Sequence, residues 1–554
     1  MKKGKIAEIG AHLRCILPVT GCCLILSNLS VFAQTQNPNS PPVDCRVKAY
    51  GAKGDGVTLD SPAINAAVQD CHSRGGGTVV VEAGTYRTGT VHLLDNTTLK
   101  LEPGATVLGS DNLADYTPLT RPSEERDTAL IVAENVRNVA IVGEGTIDGN
   151  GPAFTDNGVP HFVPYFEGAQ TRQGDALVSR MAEGREGPVH MRARPGILVL
   201  VLHSDGVILR DFHVVGSPNW SIHVACSNHI SVSGLDVRNS MLVPNADALD
   251  VSGSSNVTIA NSYLEAGDDA LVLGGPCADG WCRQPMENVA VSNVILHSRS
   301  AAIRIGPSAR DDRNMTFENV VIRDSNRGVN IQARGGEVVE NLLFSNVVSD
   351  THMIDGPWWG AGEPLSMTVA RWAYPSWPDA PAQTAGKIRH VVFNGMIAKS
   401  QSPIVIYSTE PGFIEDITFR DLKLTMESSQ LQAILGGNLD LQPTTPISLG
   451  LVRHDLSAVE IHDVRDLAFT GLQVHWDGTF PEFYRNAVHA EDFDGLTIDG
   501  FKGEGSASGF AALSFLRGKN LSVRDAHAAT GLLIDPKGMR VGTAGAGLKT
   551  IVKQ

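Results

Sequence analysis

The sequence predicts an all-β fold, a parallel β-helix, from the recurrence, spacing and alternation of short apolar triplets. Most triplets follow an Asn-rich or charged turn and have forms such as Val-Ile-Leu or Ile-Ser-Val. Adjacent starts are separated by 23 to 32 residues, apart from two gaps of 49 and 50. Such spacing fits coils of roughly 20 to 30 residues. The triplets begin at Val207, Ile230, Val257, Val289, Met315, Leu342, Val391, Ile417, Leu467, Leu496 and Leu521.

Period-two alternation in each triplet aims one set of side chains into a shared core. A single coil cannot bury its apolar face, whereas a stack of coils can. The two gaps near 50 residues are read either as two coils or as one coil that carries a long loop. A β-sandwich or propeller is less consistent with the regular spacing and the few two-residue hairpin turns.

The composition indicates one elongated domain, predicted over residues 44–535. The chain has 554 residues, 42% of them hydrophobic, with 57 glycines and no long low-complexity linker. Its formal charge is −15, and removal of residues 1–33, which carry four basic residues and one acidic residue, leaves −18. This acidity argues against nucleic acid and anionic membranes as partners. An acidic substrate would therefore need local basic residues.

The N-terminus has the pattern of an export signal. Four basic residues precede an apolar stretch over residues 15–29, and Val31-Phe32-Ala33 resembles a signal peptidase site. We expect a signal peptide at 1–33, a disordered linker at 34–43 and a periplasmic or extracellular, monomeric protein. Residues 19–22 (VTGC) resemble a lipoprotein box, but the apolar run continues past them. No later stretch predicts a membrane span.

Five of the eight cysteines remain after cleavage of the signal. In an exported protein Cys45 with Cys71, and Cys277 with Cys282, are plausible disulfides, which would leave Cys226 as a buried thiol. A zinc site at Cys277 and Cys282 is the alternative, although no second ligand pair lies at a useful spacing.

A capping helix is predicted near the start of the fold. Asp60-Ser61-Pro62 is an N-cap signal with proline near the first helical position. The apolar spacing of Ile64, Ala67, Val68 and Cys71 continues it, and residues 75–77 (GGG) end it. This helix would close the open end of the solenoid and protect its first strand edge. Residues 78–81 and 98–101 then begin the coils.

Two segments interrupt the repeat, residues 151–195 and 353–386, and both carry aromatic and charged side chains. Long loops on a rigid scaffold usually form binding walls. The second contains Trp358 and Trp359, which would either pack within the loop or stack on a sugar. The tail at 536–554 lacks a strand pattern and is predicted to be flexible.

Clustered aspartates are the most informative chemical feature. Asp247 lies in residues 245–251 (NADALDV), and Asp268 and Asp269 lie 21 residues later in residues 267–273 (GDDALVL). Stacked strands lie about 4.8 Å apart, so one coil of separation would bring the three carboxylates together. Crowded carboxylates separate into groups of different proton affinity, as glycosidic bond cleavage requires. Asp250, at the end of the first run, is read as a structural turn carboxylate.

Four motifs resemble those of the polygalacturonase family, glycoside hydrolase family 28. They are residues 47–56 (VKAYGAKGDG), 217–223 (SPNWSIH), 245–247 (NAD) and 267–269 (GDD). The resemblance implies a right-handed parallel β-helix that hydrolyses a pectin-like polysaccharide with inversion and without a metal or other cofactor. It also implies that Asp268 is the general acid and that Asp247 and Asp269 activate water. Asn245 and His223, which lie in these motifs, are expected to contact substrate.

Two departures from the family pattern concern the substrate. The family's Gly-His-Gly is replaced by Ser-Ala-Ala at residues 300–302, and its Arg-Ile-Lys by Asn330, Ile331 and Gln332. Carboxylates are best held by cations, whereas amides suit neutral hydroxyls, so plain polygalacturonate is disfavoured. Arg304 is expected to supply charge for an acidic or sulfated sugar, with Arg334 and Arg310 as further sources.

Two other function classes remain open. A polysaccharide lyase on the same scaffold would need a strong base and often a calcium cage, but no denser acidic cluster is visible. A non-catalytic β-helix for adhesion or glycan binding is compatible with the missing histidine and Arg-Ile-Lys. Neither the sugar nor exo or endo action follows from the sequence.

Overall fold

The computed structural model describes residues 43–554, apart from 124–125, 163–165, 276–281, 283, 309, 372–384, 445, 529–531, 535–540, 543–549 and 553–554. The predicted signal peptide, residues 34–42 of the predicted linker, and Cys277 lie outside the described residues. Within the described part no helix is long and apolar enough to span a membrane.

The chain forms a right-handed parallel β-helix, which confirms the predicted fold class. Every predicted triplet start pairs with the next one in parallel register, from Val207 with Ile230 to Leu496 with Leu521. Leu342 pairs directly with Val391, and Ile417 with Leu467. Each long gap is therefore one coil with a long connection.

One parallel sheet carries the candidate site, and we call it the groove sheet. Its strands pair in chain order. They are Val91–His92, Arg126–Glu134, Ile197–Leu202, Trp220–Ala225, Leu249–Ser252, Leu271–Leu273, Ala301–Ile305, Arg327–Ala333, Leu365–Val369, Ile404–Ser408, Val459–His462, Val488–Glu491, Leu513–Leu516, Leu532–Ile534 and Thr550–Val552.

The remaining parallel strands form the other walls of the solenoid. They are Asp44–Arg46, Asp55–Leu59, Gly77–Val81, Gly84–Thr88, Thr97–Leu101, Ala105–Gly109, Arg137–Gly143, Thr146–Asp148, Asp205–Arg210, His213–Val215, Asn228–Ser233, Asp236–Arg238, Ser255–Ala260, Tyr263–Ala266, Met286–Ser298, Asp312–Ser325, Val338–Thr351, Lys387–Ser400, Ile414–Glu427, Val464–Thr470, Gln473–Asp477, Asp494–Asp499, Lys502–Gly503, Lys519–Arg524, His527–Ala528 and Val541–Gly542. Val541–Gly542 and Thr550–Val552 lie in the tail that the sequence predicted to be without strands.

Helices and antiparallel strands lie mainly in the cap and the long connections. The α-helices are Ser61–Ser73, Asp175–Ala182 and Gln430–Leu435, and short 3-10 helices are Val47–Tyr50, Leu113–Asp115, Gly151–Phe154, Gly168–Gln170 and Ile447–Leu449. The antiparallel pairs are Thr155–Pro160 with Val189–Met191, Asn438–Asp440 with Leu451–Arg453, and Pro118–Ser123 with Arg126–Glu134.

Identical side chains stack from coil to coil and hold the register. Five phenylalanines form a continuous stack in the core, with ring centroids 4.4 to 4.9 Å apart. Asparagines, all but Asn228 with positive φ, form two ladders in which each side-chain amide after the first donates to the asparagine of the preceding coil. The stack is Phe317, Phe344, Phe393, Phe419 and Phe469, and the ladders are Asn228, Asn256, Asn288, Asn314, Asn341 and Asn261, Asn293, Asn319, Asn346.

The predicted capping helix is observed as Ser61–Ser73, with the expected apolar face buried. Asp60 takes the N-cap position, but its side chain makes no capping hydrogen bond. It accepts hydrogen bonds from the backbone N–H groups of Lys53 (2.7 Å) and Gly54 (2.9 Å) instead. Asp60 therefore fixes the glycine-rich turn that precedes the helix.

One predicted disulfide is present and the other is wrong. Cys45 pairs with Cys71, as predicted, whereas Cys282 pairs with Cys226. Cys226 is therefore not a free thiol, and Cys277 is not the partner of Cys282. The residues are 56 apart in sequence, but coil stacking places their Cα atoms 5.1 Å apart. Short sequence separation was a poor guide because contacts in a solenoid run between coils.

Three insertions pack together on a small apolar core of their own. They are residues 151–195, 353–363 and 430–455, and we call them the cover. The third was not predicted as a separate loop segment; it lies in the second long gap. The buried core residues of the cover are Phe166, Leu177, Met353, Leu435 and Leu451.

Polar contacts also join the insertions. Arg180 forms an ion pair with Asp355, with its Nε 2.8 Å from Oδ1. The Gly360 N–H donates to Asp440 Oδ2 at 2.9 Å. The Gln442 carbonyl accepts from Gln332 Nε2 of the groove sheet at 3.3 Å, so the cover contacts the outer face of that sheet.

Candidate active site

The predicted aspartates meet at one end of two adjacent groove-sheet strands. Asp247 precedes the strand Leu249–Ser252, and Asp268 and Asp269 precede Leu271–Leu273. Leu249 and Leu271 are paired in register, so the preceding residues are stacked. One carboxylate oxygen from each of the three aspartates lies within 4.8 Å of the others.

Asp268 and Asp269 can share a site because neither lies inside a regular strand. Both occupy the irregular segment between Tyr263–Ala266 and Leu271–Leu273. The alternation that would send adjacent strand residues to opposite faces therefore does not apply. Ser298 Oγ donates to the Asp268 carbonyl at 2.5 Å and fixes this bend.

Asp268 is the most exposed of the three carboxylates, although it is still partly buried. Its Oδ2 accepts a hydrogen bond from the Asn245 N–H at 3.2 Å, and the Ser300 hydroxyl also contacts it. Burial, followed by the charge of Asp269, raises the pKa of Asp268 to about 7. Asp268 can thus hold a proton near neutral pH and release it to a neighbouring oxygen.

Asp247 is only 3% exposed. Burial raises its pKa well above the ordinary range, and the charges of Asp250 and then Asp268 and Asp269 add to the shift. Among the described residues, Asp247 Oδ1 accepts no protein hydrogen bond. The Asp247 carboxyl is therefore electrostatically linked to those of Asp250, Asp268 and Asp269.

Asp269 has a different environment because it has a cation beside it. Arg304 Nε lies 2.6 Å from Asp269 Oδ2, and the Ala301 N–H donates to Oδ1 at 2.8 Å. Both contacts hold the Asp269 carboxyl group in place. Ser300 and Ala301 stand where the family has Gly-His-Gly, and here they position Asp268 and Asp269.

The sequence analysis placed Asp250 in a turn, and the structure corrects this position. It lies within the strand Leu249–Ser252, 1% exposed, rather than in a turn. It is in register with His223 on one neighbouring strand and Val272 on the other. Its proximity to Asp247 raises the pKa of that carboxyl. A sequence signal could have located this residue. The alternation in residues 248–251 (ALDV) buries Leu249 and Val251 and so places Asp250 on the outer face.

Asn245 and His223 lie close to the aspartates in different ways. Asn245 is exposed, donates through its backbone to Asp268, and accepts from Arg194 Nη2 at 3.3 Å. His223 is only 3% exposed, and its Nε2 lies 3.2 Å from Ser252 Oγ. Asn245 can reach a substrate directly, whereas His223 supports the sheet beneath it.

Three expected substrate contacts are buried, and two of them contact residues of the cover. Asn330 and Gln332 are 3% and 2% exposed, and Gln332 donates to Gln442 of the cover. Trp358 is 6% exposed and donates from Nε1 to the Glu186 carbonyl at 3.3 Å. Gln332 and Trp358 therefore pack against the cover and do not form an exposed surface on which a sugar could bind. Trp359 is partly exposed.

The arginines expected to supply charge are engaged elsewhere. Arg304 pairs with Asp269. Arg334 is 0% exposed and donates to the carbonyls of Pro443, Leu441 and Thr368 and to the Thr368 hydroxyl. Arg310 lines a small cavity with residues that include Cys282 and Asp312. The spacing of the three aspartates would also suit a cation, but Arg304 already supplies positive charge there.

Comparison with known proteins agrees with this geometry. The sequence model of Glycosyl hydrolases family 28 matches residues 168–351, the segment that contains all three aspartates. This segment of the chain is similar to the family. A second model, Rhamnogalacturonase A/epimerase, pectate lyase-like, matches residues 45–168.

Two curated relatives are identical to this chain at about a quarter of the aligned residues. An exo-poly-alpha-D-galacturonosidase of Dickeya chrysanthemi is 26% identical over 339 residues, 56% of each chain. An endo-polygalacturonase of Pectobacterium carotovorum subsp. carotovorum is 24% identical over 425 residues, 73% of this chain and 93% of the relative. The chain thus spans only 56% of the length of the Dickeya enzyme.

Solved structures show the same fold. A family 28 exopolygalacturonase of Yersinia enterocolitica aligns with TM-score 0.61 and 20% identity, covering 83% of this chain and 79% of that chain. A hyperthermoactive exopolygalacturonase of Thermotoga maritima aligns with TM-score 0.56 and 19% identity, covering 80% and 94%.

Proposed function

We propose that the protein is a glycoside hydrolase that cleaves a pectin-like polysaccharide by acid and base catalysis. The observation that carries this proposal is the group of three carboxylates, Asp247, Asp268 and Asp269, within 4.8 Å in one site. Their surroundings differ in burial and in cationic partners, as a division between acid and base requires. The match of residues 168–351 to the family 28 model and the polygalacturonase relatives support the same reaction class.

In this mechanism Asp268 is the general acid. It is the most exposed of the three, and its raised pKa keeps it protonated up to about neutral pH. Protonation of the glycosidic oxygen by Asp268 would make the sugar a better leaving group.

Asp247 and Asp269 form the base, which polarises the attacking water. Arg304 and the Ala301 N–H hold the Asp269 carboxyl group beside Asp247 and Asp268. Release of the proton from Asp268 would leave three neighbouring carboxylates, and uptake of a water proton by Asp247 relieves that repulsion.

Inversion at the anomeric carbon is proposed from the family resemblance. Carboxyl groups about 5 to 5.5 Å apart are typical of retaining enzymes, and about 6.5 to 9.5 Å of inverting ones. The oxygens here lie within 4.8 Å, so distance alone favours retention. Inversion is expected because two carboxylates, rather than one, are available to hold a single water.

The sugar next to the cleaved bond is proposed to be neutral or substituted rather than free galacturonate. Asn330 and Gln332 replace the family's Arg and Lys, and both amides are buried. Arg304 and Arg334 already hold protein groups. A desolvated uronate without a cationic partner would be costly to bind.

The cover supports exo action. The turn between its antiparallel strands contacts Gln332 and Arg334 on the groove sheet, a few strands beyond the aspartates. A closed groove admits a chain end and excludes the middle of a polymer. The two structural neighbours described above are named exopolygalacturonases, and an exo-acting hydrolase would release short products from a chain end.

Export to the periplasm or the medium is also proposed. The signal-like N-terminus supports it, and so do the two disulfides, because such bonds persist in oxidising compartments.

Released products test the proposed reaction. The purified protein is incubated with pectic, rhamnogalacturonan and algal polysaccharides, with Asp268→Asn as the matched control. A hydrolase releases reducing ends that the variant does not release. Unsaturated ends absorbing in the near ultraviolet would identify a lyase, and no product with any substrate would favour the glycan-binding alternative.

A further inference from the structure

A second group of ligand-type side chains lies on the groove sheet, several strands beyond the aspartates. Glu460 and His462 lie on the strand Val459–His462, and His454 follows the cover strand Leu451–Arg453. One ligand atom from each of the three residues lies within 4.8 Å of the others. None of the three has a role in the proposed hydrolysis.

The spacing within this group fits a tetrahedral metal ion. His462 Nε2 lies 3.4 Å from Glu460 Oε2. Ligand atoms about 2.0 to 2.1 Å from a tetrahedral Zn²⁺ lie about 3.4 Å from each other. Glu460 and His462 are 0% and 4% exposed, so both are held in place by packing.

Outer contacts orient each imidazole as metal sites commonly require. His462 Nδ1 lies 2.9 Å from Glu491 Oε1, and Arg517 Nη2 donates to Glu491 Oε2 at 2.8 Å. His454 Nδ1 faces the Asp455 carbonyl, which directs Nε2 to the other side of the ring. A ligating histidine almost always donates its second N–H to a carboxylate or carbonyl in this way.

The other carboxylate oxygen of Glu460 also has a hydrogen-bond partner. Its Oε1 accepts a hydrogen bond from the Ser457 N–H, which leaves Oε2 directed at His462. A carboxylate and two imidazoles are ligands that suit Zn²⁺ and similar divalent ions. A simple ion pair between His462 and Glu460 would not account for the His454 ring, whose centroid lies 5.2 Å from that of His462.

We propose that His454, Glu460 and His462 bind a divalent transition metal of the zinc class as a structural site, with water as the fourth ligand. His454 belongs to the cover, whereas Glu460 and His462 belong to the solenoid. The ion would therefore join the cover to the groove sheet, and its loss would loosen the cover.

The test uses the full-length protein after treatment with a chelator. Zn²⁺ is titrated against a competing chromophoric chelator, and the melting temperature is measured with and without Zn²⁺. We expect one ion per chain, a higher melting temperature with Zn²⁺, and a tetrahedral absorption spectrum with Co²⁺. Wild type without these three responses would overturn the proposal.

Substitutions locate the binding. Glu460→Gln preserves volume, and His454→Gln alters a partly exposed residue, so both are expected to fold. Each should abolish the rise in melting temperature and the Co²⁺ spectrum, whereas Glu491→Gln should weaken binding by about 10- to 100-fold. His229→Ala is the matched control, because His229 forms an exposed pair with Asp205 on another sheet. Zn²⁺ binding that survives Glu460→Gln and His454→Gln would show that the ion binds elsewhere and would refute the site.

Discussion

Arg304 Nε lies 2.6 Å from Asp269 Oδ2, and the two side chains are 14% and 7% exposed. This ion pair changes the role of Arg304. The sequence suggested that it binds an acidic sugar, whereas the structure shows it beside a candidate catalytic carboxylate. Asp269 and Arg304 lie on successive coils, so their contact depends on stacking of the β-helix.

Arg304→Ala should destabilise the protein and lower kcat for every cleaved substrate. Removal of one partner of a buried pair leaves the other uncompensated, at a cost of about 3 to 5 kcal/mol. Denaturant unfolding and steady-state kinetics measure both effects. Arg313→Ala is the control, because its pair with Glu287 is more exposed and should contribute at most about 1 kcal/mol. A rise in KM confined to acidic substrates would restore the sugar-binding role.

Asp268→Asn should lower kcat by about 10² to 10⁴ while preserving the fold. The amide has a similar shape but cannot donate the acid proton. Reducing-end assays and circular dichroism measure activity and folding. Asp205→Asn, which changes an exposed carboxylate on another sheet, should retain activity. Near wild-type turnover by a folded Asp268→Asn protein would reject Asp268 as the acid.

Activity should fall as the pH rises through about 7. Asp268 must be protonated to act, and burial raises its pKa to about 7, so the active form is lost above that value. The pH dependence of kcat/KM for the free enzyme reports this ionisation. A profile that stays flat from pH 6 to about 9 would contradict the raised pKa of Asp268.

Asp247→Asn should raise the melting temperature at neutral pH. Burial raises the folded-state pKa of Asp247 above its unfolded value, so the folded state binds more protons in the interval between the two. Stability from this group is present below the unfolded pKa and declines as pH rises towards the folded pKa. The gain from asparagine should therefore be largest at high pH and vanish near pH 4. A melting temperature lowered equally at all pH values would show that Asp247 is needed for packing.

Weakening the cover should shift cleavage towards internal bonds. Arg172 joins two insertions through hydrogen bonds to the Gly437 and His454 carbonyls and to Asp455 Oδ1. Arg172→Ala should therefore give a larger fall in viscosity for each reducing end released. Arg185→Ala, which removes an exposed pair with Glu183 within one insertion, is the control. If wild type itself cleaves internally, exo action is wrong whatever the variant does.

The mode of cleavage at the anomeric carbon has a direct readout. We expect proton NMR of the first-formed product to show inverted configuration, because Asp247 and Asp269 together hold the attacking water. Early product with retained configuration would agree with the short carboxylate spacing and would make one of these residues a nucleophile.

The sequence by itself determined the solenoid and the local chemistry within each coil. The register between coils could be predicted because the apolar residues of every triplet, from Val207 to Leu521, must lie on the buried face of the strand. The stacking of Asp247 on Asp268 and Asp269 followed from the same coil length, and the helix Ser61–Ser73 from its own apolar spacing.

Only the tertiary structure decided which distant residues meet. The Cys226–Cys282 bond, the Arg304–Asp269 pair and the burial of Gln332 under Gln442 each join residues that are 35 to 110 positions apart. Coil periodicity does not determine the path of an insertion, so no local pattern predicts which residues of the solenoid it contacts. Burial and neighbouring charge, which separate the proton affinities of identical aspartates, arise only after the coils and the cover have packed.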